Sequence, residues 1–244
     1  MRKFGLIGKK LGHSFSKKYF TEKFLREGVT DAVYELYELP SAEELPQLLL
    51  QEPELVGLNV TVPYKEQVIP LLDELDEAAA KIGAVNTIKI SGGRTKGYNT
   101  DYIGFRDSLE AFYPEQERGQ ALVLGTGGAA KAVWAALDAL QIPYKRVSRQ
   151  AGEDQLSYAQ LTSELIQKYN LIINTTPLGM YPQVLEAPEL PYESITSRHY
   201  FYDLVYNPEQ TLFLQHAAGK GAKVLNGLPM LHLQAEAAWS IWNL

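Results

Sequence analysis

The chain has 244 residues with 45% hydrophobic side chains, ordinary for a soluble globular protein and enough for one large or two modest domains with their own cores. Its 23 basic and 29 acidic residues leave a formal charge of -6, which offers no general attraction to nucleic acid or an anionic membrane, so an anionic ligand must be met locally. Cysteine is absent, which excludes disulfides, thiolate catalysis and cysteine-based metal sites.

Met1 to Leu6 runs directly into a strand-like segment with no long apolar region or small-residue cleavage site, so a cytoplasmic location is expected. Apolar runs ending in Gly or Asn recur at Phe4 to Gly8, Val33 to Leu39, Val56 to Val60, Leu122 to Gly125, Leu171 to Asn174 and Tyr200 to Val205, and they read as buried parallel strands. Phe15, Tyr19, Phe20 and Phe24 carry helical spacing in the first crossover. Leu45, Leu48 and Leu49 do so in the second, behind Ser41-Ala42-Glu43-Glu44, a candidate capping box. Ser91-Gly92-Gly93-Arg94 predicts a hairpin between Thr87–Ile90 and Lys96–Tyr98, an antiparallel addition to the first sheet. Tyr102 to Tyr113 then reads as a bridging helix, and a second βα series opens at Gln120. After a last strand at Lys223 to Leu225, Met230 to Trp242 has helical composition and is expected to pack back on the first domain. The alternation predicts an α/β protein of two α/β domains. No repeat, heptad pattern, low-complexity tract or bilayer-length apolar stretch occurs.

Leu122 to Leu124 followed by Gly125-Thr126-Gly127-Gly128-Ala129-Ala130 places a strand before a G-x-G-x-x-A turn and a helical run after it. Gly125 permits the tight turn, Gly127 lets backbone approach a pyrophosphate, and Ala130 is small enough for close helix-to-strand packing. The second strand of this series ends in Val147-Ser148-Arg149, where an NAD site carries Asp or Glu. A guanidinium there favours a 2′-phosphate, hence NADP. Asn174 to Met180 supplies another short polar turn beside the same crevice. In the first half, Asn59-Val-Thr61-Val-Pro-Tyr-Lys65 and Ala84-Val-Asn86-Thr87 close apolar runs with short polar side chains and one lysine, in the manner of a small-molecule site. A substrate site and a nucleotide turn in one chain suggest a dehydrogenase. Lys65 is read at a helix start, where the macrodipole disfavours a lysine, and Asp101 is its candidate partner for orienting the ammonium as a proton donor.

The strings Gly12-His13-Ser14-Phe15-Ser16, Asn59 to Lys65, Gly83-Ala-Val-Asn-Thr87, Asn99-Thr-Asp101, Gly125 to Ala129 and Gly227-Leu-Pro-Met-Leu-His-Leu-Gln234 occur in the order seen in shikimate dehydrogenases, and the chain resembles that family over essentially its whole length. The resemblance implies a substrate-binding domain at 1–101, with 229–244 packing back on it, and a Rossmann-like NADP-binding domain at 102–228. It implies NADPH-dependent reduction of 3-dehydroshikimate to shikimate in aromatic biosynthesis, with Lys65 and Asp101 as the catalytic pair. The hydroxyls at Ser14, Ser16 and Tyr206 match groups holding the substrate carboxylate. Asn59, Thr61, Asn86 and Gln234 match further substrate contacts, while Gly125, Thr126, Gly127, Gly128, Ala129, Ser148, Arg149, Thr175, Leu204 and Gly227 match the cofactor side.

Simpler roles stand beside these: Ser14 and Ser16 as helix caps, Asn59 and Asn86 as partners of strand-end backbone groups, Gln234 as a solvated helix position. His13 is assigned local hydrogen bonding, and with only His13, His199, His216 and His232 available no metal is expected. The chain departs from the family in Lys10-Leu11 for Pro-Ile, in Lys17 and Phe20, and in Ser148-Arg149-Gln150 with Glu153 near a usual second basic position, which points to a weaker NADP preference. Alternatives are an NAD-using quinate/shikimate dehydrogenase, a methylenetetrahydrofolate dehydrogenase, which the Ser14/Ser16 and Asn86/Asp101 elements do not suit, and a catalytically silent nucleotide-binding paralogue. The expected partner is a small-molecule substrate, with no nucleic acid or membrane, in a monomer or homodimer.

Overall fold

The computed structural model describes residues 1–12 and 14–244, so the role expected of His13 lies outside the described residues. Two compact units emerge, Met1–Thr100 with Ala235–Leu244, and Asp101–Gln234.

In chain order the first unit holds β1 (Arg2–Gly8), α1 (Phe15–Glu27), β2 (Ala32–Glu38), α2 (Leu45–Gln51), β3 (Leu55–Val60), β4 (Glu74–Leu75), α3 (Glu77–Ile82), β5 (Thr87–Ser91) and β6 (Arg94–Tyr98). Its sheet runs β2-β1-β3-β5-β6-β4. β1 is parallel to β2 and β3, and β5 is antiparallel to β3 and β6. The pleat sends alternate side chains of β1 to opposite faces. Phe4 and Leu6 join Phe20 and Phe24 of α1 and Ala238, Ile241 and Trp242 of the C-terminal segment, whereas Ile7 joins Leu45 and Leu48 of α2 and Ala79 of α3. Trp242 Nε1 donates to the Ile88 carbonyl at 3.0 Å, tying the C-terminal segment to the sheet.

The second unit follows with α4 (Thr100–Phe112), β7 (Gln120–Leu124), α5 (Gly128–Ala139), β8 (Tyr144–Ser148), β9 (Gln155–Ser157), α6 (Ser163–Ile166), β10 (Tyr169–Asn174), β11 (Tyr200–Asp203), α7 (Leu212–Ala218), β12 (Lys223–Leu225) and α8 (Leu228–Asn243). Its sheet runs β12-β11-β10-β7-β8-β9, parallel throughout. Ala121 and Val123 of β7 pack with Phe105 of α4, Val133 of α5 and Met230 of α8, while Leu122 and Leu124 pack with Ile166 of α6 and Phe213 of α7. Both faces are covered, as a parallel sheet requires. Among the described residues no helix is long and apolar enough to cross a membrane.

Each sheet reverses its strand order once near its middle. β1 leads to β2 on one side and neighbours β3 on the other, and β7 leads to β8 while neighbouring β10. A crevice opens outside the carboxyl ends of strands at such a switch point, because the two connecting segments leave in opposite directions. The Ser14 loop and the Thr61–Lys65 segment follow β1 and β3; the Gly125 turn and the Thr175 turn follow β7 and β10.

Three local expectations are corrected. Lys65 does not open a helix: residues 62–68 form consecutive turns and a 3-10 turn follows at Ile69–Leu71. The Lys65 carbonyl, which a helix would give to Ile69, accepts from the Val85 N–H at 2.7 Å, and Pro70 has no N–H with which to continue a helical ladder. The capping box at Ser41 is not formed, since Ala42–Glu44 is a 3-10 turn without a side-chain cap and α2 begins only at Leu45. The strand expected over Val33 to Leu39 is the sheet's edge and is only partly buried. The hairpin is present: Ser91 pairs with Arg94, and Gly92 and Gly93 hold φ of 57° and 76°, the left-handed pair that a two-residue hairpin turn demands.

Candidate functional site

In the first unit the polar residues after β1 and β3 are fastened by a buried network. Asn59 is 5% exposed on β3. Its Oδ1 accepts from the Tyr34 hydroxyl at 2.7 Å, and its Nδ2 donates to Thr87 Oγ1 at 3.1 Å. Thr87 Oγ1 lies 3.0 Å from Thr100 Oγ1, and Asn86 Oδ1 accepts from the Thr100 N–H at 2.6 Å. Burial pushes the Tyr34 phenol up, partly offset by a hydrogen bond from Ser16. The network therefore reaches from Ser16 through Tyr34, Asn59 and Thr87 to Thr100, the residue before Asp101.

Every member of that network is neutral, so its hydrogen bonds satisfy buried groups without burying charge. Ser14 caps α1, accepting from the Lys17 N–H at 3.3 Å, and Ser16 stands in the first turn of the same helix. Thr61 is held at both ends of its backbone, its N–H donating to the Ile7 carbonyl at 3.0 Å and its carbonyl accepting from the Tyr64 N–H at 3.0 Å. Tyr64 is buried and its hydroxyl donates to the Leu39 carbonyl, anchoring the residue before Lys65. Together with the Val85 bond, these contacts fix the Lys65 backbone beside the Ala84–Thr87 segment. The structure thus brings Ser14, Ser16, Asn59, Thr61, Lys65 and Asn86 to one end of one sheet.

Asp101, Tyr206 and Gln234 are counted with the second unit. Asp101 stands in the first turn of α4, Tyr206 is exposed in the segment after β11, and Gln234 is buried on α8 with Nε2 donating to the Leu231 carbonyl at 3.1 Å.

The second unit carries a cleft of about 530 Å³ lined by Gly125, Thr126 and Gly127, by Ser148 and Arg149, by Thr175 to Leu178, and by Tyr158. Gly125 has φ of 104°, and a Cβ there would lie 2.7 Å from Thr175 Oγ1, so the turn after β7 and the turn after β10 touch at a position open only to glycine. An added Cβ on Gly127 or Gly128 would meet nothing within 4 Å, and Gly127 caps α5 with no side-chain bond. The first turn of α5 thus has open space beside its glycines and no side-chain acceptor at its cap. With one guanidinium at the rim, this is a set of donors that fits a pyrophosphate and a further phosphate. The far wall is held by Asp203, whose carboxylate accepts from Asn174 Nδ2 at 3.0 Å, the Val205 N–H at 3.0 Å and Thr211 Oγ1 at 2.6 Å. Asn174 Oδ1 in turn accepts from the Thr176 N–H at 3.0 Å. Burial pushes the Asp203 carboxyl up to about 6 despite these three donors.

Leu204 and Gly227 do not line this cleft. They pack on each other, a Cβ on Gly227 lying 2.1 Å from the Leu204 carbonyl oxygen, and thereby join the segments after β11 and β12. Gly128 and Ala129 open α5 behind the lining residues. Sequence reasoning missed Tyr34, Asp203 and Tyr158. Tyr158 follows β9, a strand too short to leave a periodic signal, and Tyr34 is one of two tyrosines on β2.

The Shikimate dehydrogenase substrate binding domain model matches residues 6–88. The chain is 36% identical to the Shikimate dehydrogenase (NADP(+)) of Caldicellulosiruptor saccharolyticus over 99% of its length and 92% of that protein. Among solved structures it is similar to a chorismate mutase/shikimate 5-dehydrogenase fusion protein from Clostridium acetobutylicum, with TM-score 0.89 and 41% identity over 100% of this chain and 91% of that one. It is also similar to the shikimate 5-dehydrogenase of Thermus thermophilus in complex with NADP(H) and shikimate, with TM-score 0.87 and 33% identity over 99% of this chain and 93% of that one. With identity of this order sustained from end to end across both units, the chain belongs to the shikimate dehydrogenase family.

Proposed function

We propose that the chain catalyses the reversible NADP-linked reduction of 3-dehydroshikimate to shikimate, a step toward chorismate and the aromatic amino acids. The observation that carries this reading is the 36% identity to a shikimate dehydrogenase (NADP(+)) along 99% of the chain. The fixing of Lys65 beside Asn86 and the donor-lined cleft around Gly125 and Arg149 support it. In this reading residues 1–101 with 229–244 hold the substrate and residues 102–228 hold the nucleotide.

Ser14, Ser16 and Tyr206 donate hydroxyl hydrogen bonds to the substrate carboxylate, while Thr61, Asn86 and Gln234 read the ring hydroxyls. Asn59 works from behind, its amide occupied by Tyr34 and Thr87. Uncharged donors and acceptors suit a small polyol, because an analogue lacking one hydroxyl leaves a buried partner unpaired. The reduced dinucleotide, when bound, supplies the hydride. As the ketone oxygen gains negative charge, the Lys65 ammonium stabilises it and delivers a proton; in the opposite direction the Lys65 amine accepts the hydroxyl proton. Asp101 orients Lys65 and accepts a hydrogen bond from a substrate hydroxyl. Gly125, Thr126, Gly127 and Thr175 shape the seat of the pyrophosphate with Gly128 and Ala129 opening α5 behind them, Leu204 and Gly227 support the nicotinamide side from outside the cleft lining, and Ser148 and Arg149 hold the 2′-phosphate.

The test is absorbance at the reduced-nicotinamide band with shikimate or quinate, each with NADP or NAD. Shikimate with NADP is the pair expected to react, and Lys65→Ala is expected to lower kcat by about 100-fold or more with a smaller change in KM. Preference for quinate or NAD would replace the reading, and no turnover with any pair in a protein that still binds nucleotide would refute it.

A further inference from the structure

Tyr158 lies outside every motif described for the chain, yet the sheet delivers it to the nucleotide cleft. β8 and β9 are parallel, with Ser148 paired to Ser157. One residue past this pair, Arg149 and Tyr158 leave neighbouring strands together, and both line the 530 Å³ cleft. The intervening loop is closed against β9, with Gln155 Nε2 donating to the Gln150 carbonyl at 3.1 Å and the Gly152 N–H donating to the Gln155 carbonyl at 3.0 Å. On the other side Tyr158 opens a 3-10 turn, secured by the Ser157 N–H donating to Gln160 Oε1 at 2.8 Å. The placement of Tyr158 relative to Arg149 is therefore set by backbone pairing.

The ring is engaged elsewhere. It packs against the cluster containing Leu161 and Ile166, and the residue lines both the nucleotide cleft and a second hollow lined by Pro188, Tyr192 and His216. Its hydroxyl, by contrast, makes no hydrogen bond among the described residues, and burial alone pushes the phenol up. Among the described residues Arg149 is the one charged side chain lining the cleft, and the neighbouring loop residues Glu153 and Asp154 are acidic. A phosphate monoester beside Arg149 has more acceptor oxygens than one guanidinium satisfies. An O–H donor adds to its recognition through a charge-assisted bond and contributes no field that would also draw other anions.

We infer that Tyr158 is a specificity-determining residue whose hydroxyl donates a hydrogen bond to the 2′-phosphate of NADP beside Arg149. This rests on the NADP reading given above and adds a residue to it. Loss of such a charge-assisted bond weakens binding on the order of 10-fold.

The experiment is isothermal titration of the full chain with two probes, adenosine 2′,5′-bisphosphate and 5′-AMP, comparing the natural sequence, Tyr158→Phe and Arg149→Ala. Phenylalanine keeps the ring that packs on Leu161 and removes only the hydroxyl. The natural protein is expected to prefer the bisphosphate, and Tyr158→Phe to lose on the order of 10-fold for the bisphosphate with AMP unchanged. Equal bisphosphate affinity in Tyr158→Phe and the natural protein would overturn the inference, as would equal weakening toward both probes, which marks a structural role for the hydroxyl. A natural protein that does not distinguish the probes would instead overturn the NADP reading beneath it. A natural protein that prefers the bisphosphate and loses that preference only in Arg149→Ala leaves the NADP reading standing and removes Tyr158 from it.

Discussion

Replacing Asp203 by asparagine tests whether burial governs the wall of the nucleotide cleft. Asp203 is fully buried at the end of β11, and its carboxyl is pushed up to about 6 from 3.8 because desolvation outweighs the bonds from Thr211, Val205 and Asn174. The folded value stands above the unfolded one, so the group's contribution to stability is complete below the unfolded value and is lost as pH rises through about 6. Raising the carboxyl from 3.8 to about 6 corresponds to about 3 kcal/mol of stability lost once it is ionised. About 1 kcal/mol is lost by about pH 4.5 and about 3 kcal/mol by about pH 7.5. Asparagine cannot ionise, keeps one acceptor for Asn174 and Val205, and meets the Thr211 hydroxyl with a donor that the hydroxyl can accept.

The expected result is that Asp203→Asn gains about 2 kcal/mol relative to the natural protein between about pH 4.5 and about pH 7.5, whatever its offset at either one. Urea unfolding followed by circular dichroism at the two pH values reads this double difference, and other titrating groups cancel because both proteins carry them. A difference that does not change with pH would show that the Asp203 carboxyl titrates as an exposed one, and the argument from desolvation would fall.

Two further substitutions probe the positions that shape the sites. Gly125→Ala places a Cβ 2.7 Å from Thr175 Oγ1 at φ of 104°, and is expected to weaken nucleotide binding by about 10-fold or more and to cost about 1–2 kcal/mol of stability; a titration indistinguishable from the natural protein would refute the close approach of the two turns. Tyr34→Phe leaves Asn59 Oδ1 buried without its 2.7 Å donor and is expected to destabilise by about 1–3 kcal/mol in thermal or urea unfolding, while an unchanged midpoint would mean the network bears no strain from its loss.

The strands of both sheets are legible because each is a short apolar run cut off by a small or polar residue. β1, β3, β7, β10 and β11 end at Gly8, Val60, Leu124, Asn174 and Asp203, within one or two residues of where the hydrophobic runs stop. What failed was local geometry decided by distant partners. Lys65 has ordinary helix-forming neighbours, but its carbonyl bond to Val85, twenty positions along the chain, draws the backbone out of a helix. β4 and β9 were invisible because two or three residues carry no periodicity, and they form by docking on β6 and β8. On the substrate side the motif residues were legible, yet the sequence shows them as a row of polar side chains. Folding sorts them, so that Asn59 is turned toward Tyr34 and Thr87 while the Lys65 backbone is tied beside Asn86. The Gly125 turn was read from its own residues, but its wall, Tyr158 and Asp203, comes from strand ends whose approach depends on sheet order.

The two scaffolds respond differently to acid. In the first unit Tyr34, Asn59, Thr87, Asn86 and Thr100 exchange hydrogen bonds among neutral groups, and burial moves the single ionisable member, the Tyr34 phenol, further from neutrality. No proton enters or leaves that network across the mildly acidic range, so the frame holding the substrate-side residues is insensitive to pH there. In the second unit Asp203 meets three donors, and a proton on Oδ2 turns the bond with Thr211 around, the acid donating to the hydroxyl while Oδ1 goes on accepting from Asn174 and Val205. One of those donors is Asn174, whose other amide atom holds the Thr176 backbone at the cleft wall. Protonation of Asp203 near pH 6 thus relieves the burial of charge and leaves in place the bond through which Asn174 positions Thr176. A drop of pH through this range therefore favours the fold of the second unit without disturbing the wall of its cleft. Through this carboxyl mild acid is expected to stabilise the second unit with nucleotide affinity unchanged, and an affinity that falls near pH 6 in the natural protein but not in Asp203→Asn would refute that reasoning.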